Sequence, residues 1–117
     1  MTDKDVLWRL GHILHEIDIV FAAAGHLSDD ELSCQLALMR TGERCVEIIS
    51  EATRHIPQDL RDTEPEIAWR KIVNIGNLLR HEYYRINGDD MIRIVRDHLP
   101  QLRPAIARLI EKLSFQP

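Results

Sequence analysis

Apolar residues recur along this chain at intervals of three and four, the spacing that puts them on one side of an α-helix. Val6, Leu7, Leu10, Ile13, Leu14, Ile17, Val20 and Phe21 form the first such stripe. Thr2 can cap this helix with Asp5 in the capping-box position, and Gly25 is placed to stop it. Ser28-Asp29-Asp30-Glu31 is a second capping box with an acidic first turn. The stripe behind it, Leu32, Leu36, Met39, Val46, Ile49 and Ala52, predicts one long helix to about His55, weakest at Thr41-Gly42 and ended by Pro57. Residues 57–64 read as a polar connection.

Thr63-Glu64-Pro65-Glu66 predicts a third helix start with proline inside the first turn. Its apolar side holds Ile67, Trp69, Ile72, Val73, Leu78 or Leu79, and Tyr83, and Asn87-Gly88 closes it. Asp89-Asp90 opens a fourth helix to about Leu99. Pro100 interrupts, and Pro104 suits the first turn of a fifth helix that fades near Leu113. The pattern predicts an all-α protein, an up-and-down bundle of about five helices forming a single domain over residues 1–117.

Composition narrows this only a little. A chain of 117 residues is long enough for one core, and with six aromatic residues that core is mostly Leu, Ile, Val and Ala. Five Gly and five Pro are too few turn formers for an all-β chain. Cys34 and Cys45 would lie roughly 16 Å apart along one helix, out of reach of a disulfide, and read as small core residues in a reducing cytoplasm. No apolar run nears the ~18 residues that span a bilayer, and no secretory leader is visible, so a soluble cytoplasmic protein with no membrane partner is expected.

Charge adds more. The net charge is −4, but residues 1–59 carry five basic and eleven acidic residues, whereas residues 60–117 carry ten and eight. A polyanion site confined to the second half fits that asymmetry. Within it, Arg70, Asn74, Asn77 and His81 are spaced 4, 3 and 4 and share a helix face, which Arg85 would extend. Ordinary solvated faces are dominated by Lys and Glu, so this stripe is the place to look for chemistry. Elsewhere the signals are weak. His12 and His15 beside Glu16 lack a third metal ligand. His26, His55 and His98 fall near predicted helix C-termini, where the dipole favours imidazolium. The glycines are isolated, so no phosphate loop exists.

From Ala68 to Asn87 the chain resembles the signature of HEPN-domain proteins of the HepT type: Arg, a gap of four to six residues, then His, any residue, Tyr. His81-Glu82-Tyr83 supplies the last part. Ile48-Ile49-Ser50-Glu51-Ala52-Thr53-Arg54-His55-Ile56-Pro57 is similar to the family's second-helix ending, and Pro65-Glu66-Ile67-Ala68-Trp69-Arg70 to its lead into the motif helix. The resemblance implies an all-α homodimer, the toxin of a two-gene toxin–antitoxin module, that cuts RNA without metal or other cofactor. It also implies a nucleotidyltransferase antitoxin that can add AMP to the motif tyrosine. Carried over, His81 is catalytic and Tyr83 is the AMP acceptor.

One departure stands out. Positions 74, 75 and 76, where the motif arginine belongs, hold Asn74, Ile75 and Gly76. RNA cleavage by the 2′-hydroxyl needs proton transfer and a cation for the phosphorane, and a lone imidazole supplies only the first. Arg80, Arg85 and Arg70 are the candidate replacements, Arg85 being the best placed on an unbroken helix, and Asn77 could contact the RNA or cap a backbone group. The alternative is a family member that binds a nucleotidyltransferase or nucleic acid without cutting. Gly76→Arg should separate the two: a gain of nuclease activity would mark a competent but disarmed scaffold, and no change would favour a different cation or no RNA chemistry. As plain structure, Tyr83 would be a core aromatic, Tyr84 a packing residue, and Arg70 an ion-pair partner of Glu66.

Overall fold

The computed structural model describes residues 1–115, and among these no strand occurs. Seven α-helices follow in order: α1 (Asp3–Ala24), α2 (Asp29–Ser33), α3 (Leu36–Arg54), α4 (Gln58–Arg61), α5 (Trp69–His81), α6 (Gly88–Arg93) and α7 (Leu99–Ser114). A 3-10 turn at Tyr83–Arg85 follows α5, and a π turn at Ile94–His98 joins α6 to α7. The all-α bundle is therefore as the periodicity predicts. Helix α1 packs on both α3 and α7, and α3 packs on α5. The core lies around α1: Leu10, Ile13 and Ile17 meet Ile49 of α3 and Leu102, Ile106 and Leu109 of α7, all fully buried. Among the described residues no helix is long and apolar enough to cross a membrane.

The caps at Thr2 and Ser28 form as predicted. Thr2 Oγ1 accepts from the Asp5 amide at 3.2 Å while the Asp5 carboxylate accepts from the Thr2 amide at 3.1 Å. Ser28 and Glu31 repeat this exchange at 3.1 and 2.9 Å. The long second helix does not form in one piece. It breaks at Cys34-Gln35, not at Thr41-Gly42, and Gly42 is buried inside α3. Asp29 of α2 accepts from Arg93 Nη2 at 2.7 Å and from Arg96 Nε at 3.0 Å, so the short helix is tied to the α6 end of the molecule. The break also leaves Cys34 exposed, so only Cys45 is a core cysteine.

Three further boundaries move. The predicted fourth and fifth helices run as one rod, because the Leu99 amide donates to Ile94 O five residues back and the widened turn carries the helix past Pro100. His98 therefore lies mid-rod, away from any helix C-terminus. The third helix begins at Trp69, not near Glu64, and ends at His81, well before Asn87. At its start the Trp69 indole N–H is shared by the carbonyls of Arg61 and Glu64, both at 3.0 Å, which fixes the turn that precedes the helix. At its end Asn87 opens α6 with a capping box of its own: its side chain accepts from the Asp90 amide at 2.9 Å.

Candidate nucleic-acid interface at the end of helix 5

Helix α5 has the two sides its spacing implies. Trp69, Gly76 and Leu79 are buried, and Arg70, Asn74, Asn77 and His81 are all exposed on the other side. The stripe exists, but the termination at His81 changes its membership. Glu82, at φ −143° and ψ 44°, leaves the helical region, so the chain beyond turns off the axis. Arg85 therefore does not extend the His81 face. It sits on the 3-10 turn, pairs with Glu82 at 3.4 Å, and lines an open cleft of about 460 Å3 together with Ile75, Leu78 and Ile86. Arg70 stays on the stripe but roughly 16 Å down the axis from His81. Its anticipated ion pair with Glu66 is not formed among the described residues, because Glu66 precedes the helix.

Arg80 is adjacent to His81 in sequence but lies about 100° around α5 from it. Its side chain folds back along α5, donating from Nη2 to Asn77 Oδ1 at 2.8 Å and from Nη1 to Glu51 Oε2 at 3.3 Å. The guanidinium is thus held between a stripe residue and α3. Asn77 orients this cation. Glu51, on the last turn of α3, also meets Arg54 Nη1 and His55 Nε2, each at 3.3 Å. Burial raises the Glu51 carboxyl, but the His55 hydrogen bond and the charges of Arg54 and Arg80 outweigh it and hold the group below its ordinary range. Sequence reasoning missed Glu51 and His55 as part of this constellation. The only signal was the run Glu51-x-x-Arg54-His55, and nothing local links α3 to α5.

The register of α5 on α3 explains Gly76. Ser50 Oγ donates to Val73 O at 2.8 Å and accepts from the Gly76 amide at 3.2 Å, so a serine hydroxyl lies directly on the α5 backbone. A Cβ at position 76 would stand 2.2 Å from Ser50 Oγ and 2.6 Å from Ser50 Cβ. Position 76 therefore faces the neighbouring helix and not the stripe. An arginine there would be driven into α3, so Gly76→Arg cannot separate cutting from binding.

The placement of Tyr83 on the apolar side and the packing role of Tyr84 are corrected too. Neither packs in the core: they are 68% and 73% exposed, with ring centroids 6.2 Å apart and planes at 79°. His81 and both tyrosines therefore stand free at one end of α5, flanked by Arg80 and Arg85. Among the described residues no group of three or more His, Cys, Asp or Glu is arranged to hold a metal ion. His12 instead faces Glu16 at 3.6 Å.

A family model described as "Ribonuclease HepT-like" matches residues 13–109. The chain is 25% identical over 103 residues to a protein of Caldanaerobacter subterraneus subsp. tengcongensis named "Putative RNase", covering 88% of this chain and 92% of that one. It is 27% identical over 106 residues to a protein of Methanocaldococcus jannaschii with the same description, covering 91% and 97%. It is 25% identical over 100 residues to "Probable ribonuclease HepT" of Thermococcus cleftensis, covering 86% and 91%. No solved structure matches the chain.

Proposed function

Since the chain belongs to the HepT-like ribonuclease family, we propose that it is the toxin of a toxin–antitoxin pair and cuts RNA at the exposed end of α5, with no metal in the chemistry. The observation that carries this reading is the placement of Arg80. The chain has no motif arginine at positions 74–76, yet Arg80, the residue before His81 in sequence, has its guanidinium held by Asn77 and Glu51.

The chemistry then divides cleanly. His81 takes the proton of a ribose 2′-hydroxyl, and the 2′-oxygen attacks the adjacent phosphorus. Arg80 carries the negative charge that builds on the phosphoryl oxygens, a role that suits a planar, permanently charged group. The bond from phosphorus to the 5′-oxygen breaks, leaving a 2′,3′-cyclic phosphate and a 5′-hydroxyl. In a homodimer with the two stripes near the shared axis, a second imidazole can protonate the leaving oxygen. Neutralisation by a nucleotidyltransferase antitoxin fits the exposure of Tyr83. Its phenol oxygen attacks the α-phosphorus of ATP, pyrophosphate leaves, and the phenolic proton passes to solvent.

The test is cleavage of a labelled RNA by the purified chain in EDTA. Wild type should cut, His81→Ala should lose about 100-fold or more, and Arg80→Ala a comparable amount. Arg85→Ala should stay within a few-fold. Undiminished cutting by His81→Ala sinks the assignment. A wild-type chain that does not cut supports the second reading, a binding module without catalysis, whose own support is the missing motif arginine.

A further inference from the structure

We propose that Tyr84, with Tyr83 set edge-on to it, is a stacking platform for one unpaired base of the nucleic acid, so that this site takes single strands in preference to duplexes. The inference rests on the RNA-directed reading of the His81 end.

Three observations converge on it. The chain has six aromatic residues, and it leaves two adjacent ones in solvent at 68% and 73% exposure. Trp8 and Phe115 are exposed singly, as scattered rings often are, whereas Tyr83 and Tyr84 stand side by side. Second, the pair is already in the edge-to-face geometry that two rings prefer, at 6.2 Å and 79°, and this leaves ring surface open to a third planar group. Third, Arg80 and Arg85 bracket the two rings in the chain, and their pairs with Glu51 and Glu82, at 3.3 and 3.4 Å, are solvated ones that a phosphate can replace. A ligand that repeats a phosphate and a planar base matches both features. An acidic peptide matches only the charge. Aromatic rings interleaved with cations are how single strands are held without sequence readout, whereas the bases of a duplex are covered by their neighbours.

The placement also fits the chemistry. Tyr84 is three residues beyond His81, no more than about 10 Å of chain, so a base stacked there belongs to a nucleotide beside the reacting phosphate. It suggests how AMP on Tyr83 would silence the site as well. The added adenine would lie next to the Tyr84 ring and compete with the substrate base for it.

The experiment measures anisotropy of a labelled, unstructured 2′-O-methyl RNA strand, which cannot be cut, alone and annealed to its complement. Wild type should bind the single strand more tightly than the duplex. Tyr84→Ala should weaken the single strand about ten-fold, leave duplex binding and the salt dependence unchanged, and keep a native circular dichroism spectrum. Tyr84→Trp should restore the affinity. Undiminished binding by Tyr84→Ala, an equal loss for strand and duplex, a Trp variant no better than Ala, or no single-strand binding at all overturns the platform. So does a Tyr84→Ala chain that binds RNA normally but no longer accepts AMP, because the ring then serves the protein partner. Tyr84-dependent binding by a wild-type chain that leaves RNA uncut keeps the platform and removes the nuclease. Cutting with an unaltered KM in Tyr84→Ala does the reverse.

Discussion

Glu64 and Glu51 each gather cations from beyond their own turn, one inside the molecule and the other at its surface. The Glu64 side chain is 6% exposed, and Arg108 and Lys112 of α7 reach it at 2.6 and 3.1 Å. The Glu51 side chain is 45% exposed, and its contacts with Arg54, His55 and Arg80 are all 3.3 Å. A buried carboxylate must be matched or it opposes folding, so the first cluster pins the turn before α5 to α7. A solvated one gains little, about 0.2–1 kcal/mol per exposed pair, and its partners can exchange. Composition is nearly the same in both. Burial makes one a fastener and leaves the other a loose holder of Arg80.

The largest disturbance to this pair of sites should come from the crossing of α3 and α5, because the Ser50–Gly76 contact sets the distance over which Glu51 reaches Arg80. Gly76→Arg should destabilise by about 3 kcal/mol or more in denaturant unfolding, through overpacking and not through any change of charge. Gly76→Ala should already be costly. Adding Ser50→Gly, which removes both atoms that the new Cβ meets, should recover part of that loss. A Gly76→Arg chain of normal stability with raised nuclease activity would mean that the register of the two helices is wrong.

Next in size is Glu64→Gln, expected to cost about 1–3 kcal/mol, since it leaves Arg108 and Lys112 facing a neutral amide at a buried site. The hydrogen bond from Arg108 lowers the Glu64 pKa below its ordinary 4.5, burial opposes this, and Lys112 adds to the lowering. A lowered carboxyl stabilises the fold fully above 4.5, and that share is lost as pH falls through the native value. Wild type should therefore lose stability on acidification below about pH 4.5 more steeply than Glu64→Gln. Parallel pH profiles for the two proteins would show that Glu64 does not fasten the turn.

Local chemistry was enough to read the caps at Thr2 and Ser28, the two sides of α5 and the exposed stripe ending in His81. These features depend on residues three or four apart, where helix geometry alone decides the neighbours. What escaped was set at long range. Asp29 ties the short α2 to Arg93 and Arg96, more than sixty residues away. The Asn87 capping box was legible as a motif, yet Asn87-Gly88 reads equally well as the close of α5, and that ambiguity placed Arg85 and Tyr83 on the wrong surfaces. Glu51 could not be joined to Arg80 without the packing of α3 on α5. The meaning of Gly76 was hidden for the same reason: in sequence it is a missing arginine, and in space it is the seat of Ser50.

The smallest expected effect on stability is also the one that best separates the two glutamates. Glu51→Gln should change unfolding free energy by less than about 1 kcal/mol, because the contacts it weakens are solvated. Its effect should appear in turnover. The variant keeps an amide oxygen that can accept from Arg80 but loses the charge that draws the guanidinium toward α3. Arg80 then samples more orientations beside His81, and kcat should fall by roughly ten-fold, about 1.4 kcal/mol of barrier. The lost carboxylate also stops competing with the RNA phosphate, so KM should stay level or fall. That opposition of kcat and KM is not what a merely structural residue produces, since loss of folded protein lowers apparent turnover and leaves KM alone. Unaltered kcat in a folded Glu51→Gln chain would show that Asn77 alone holds Arg80, and that the α3 cluster is an ordinary surface network.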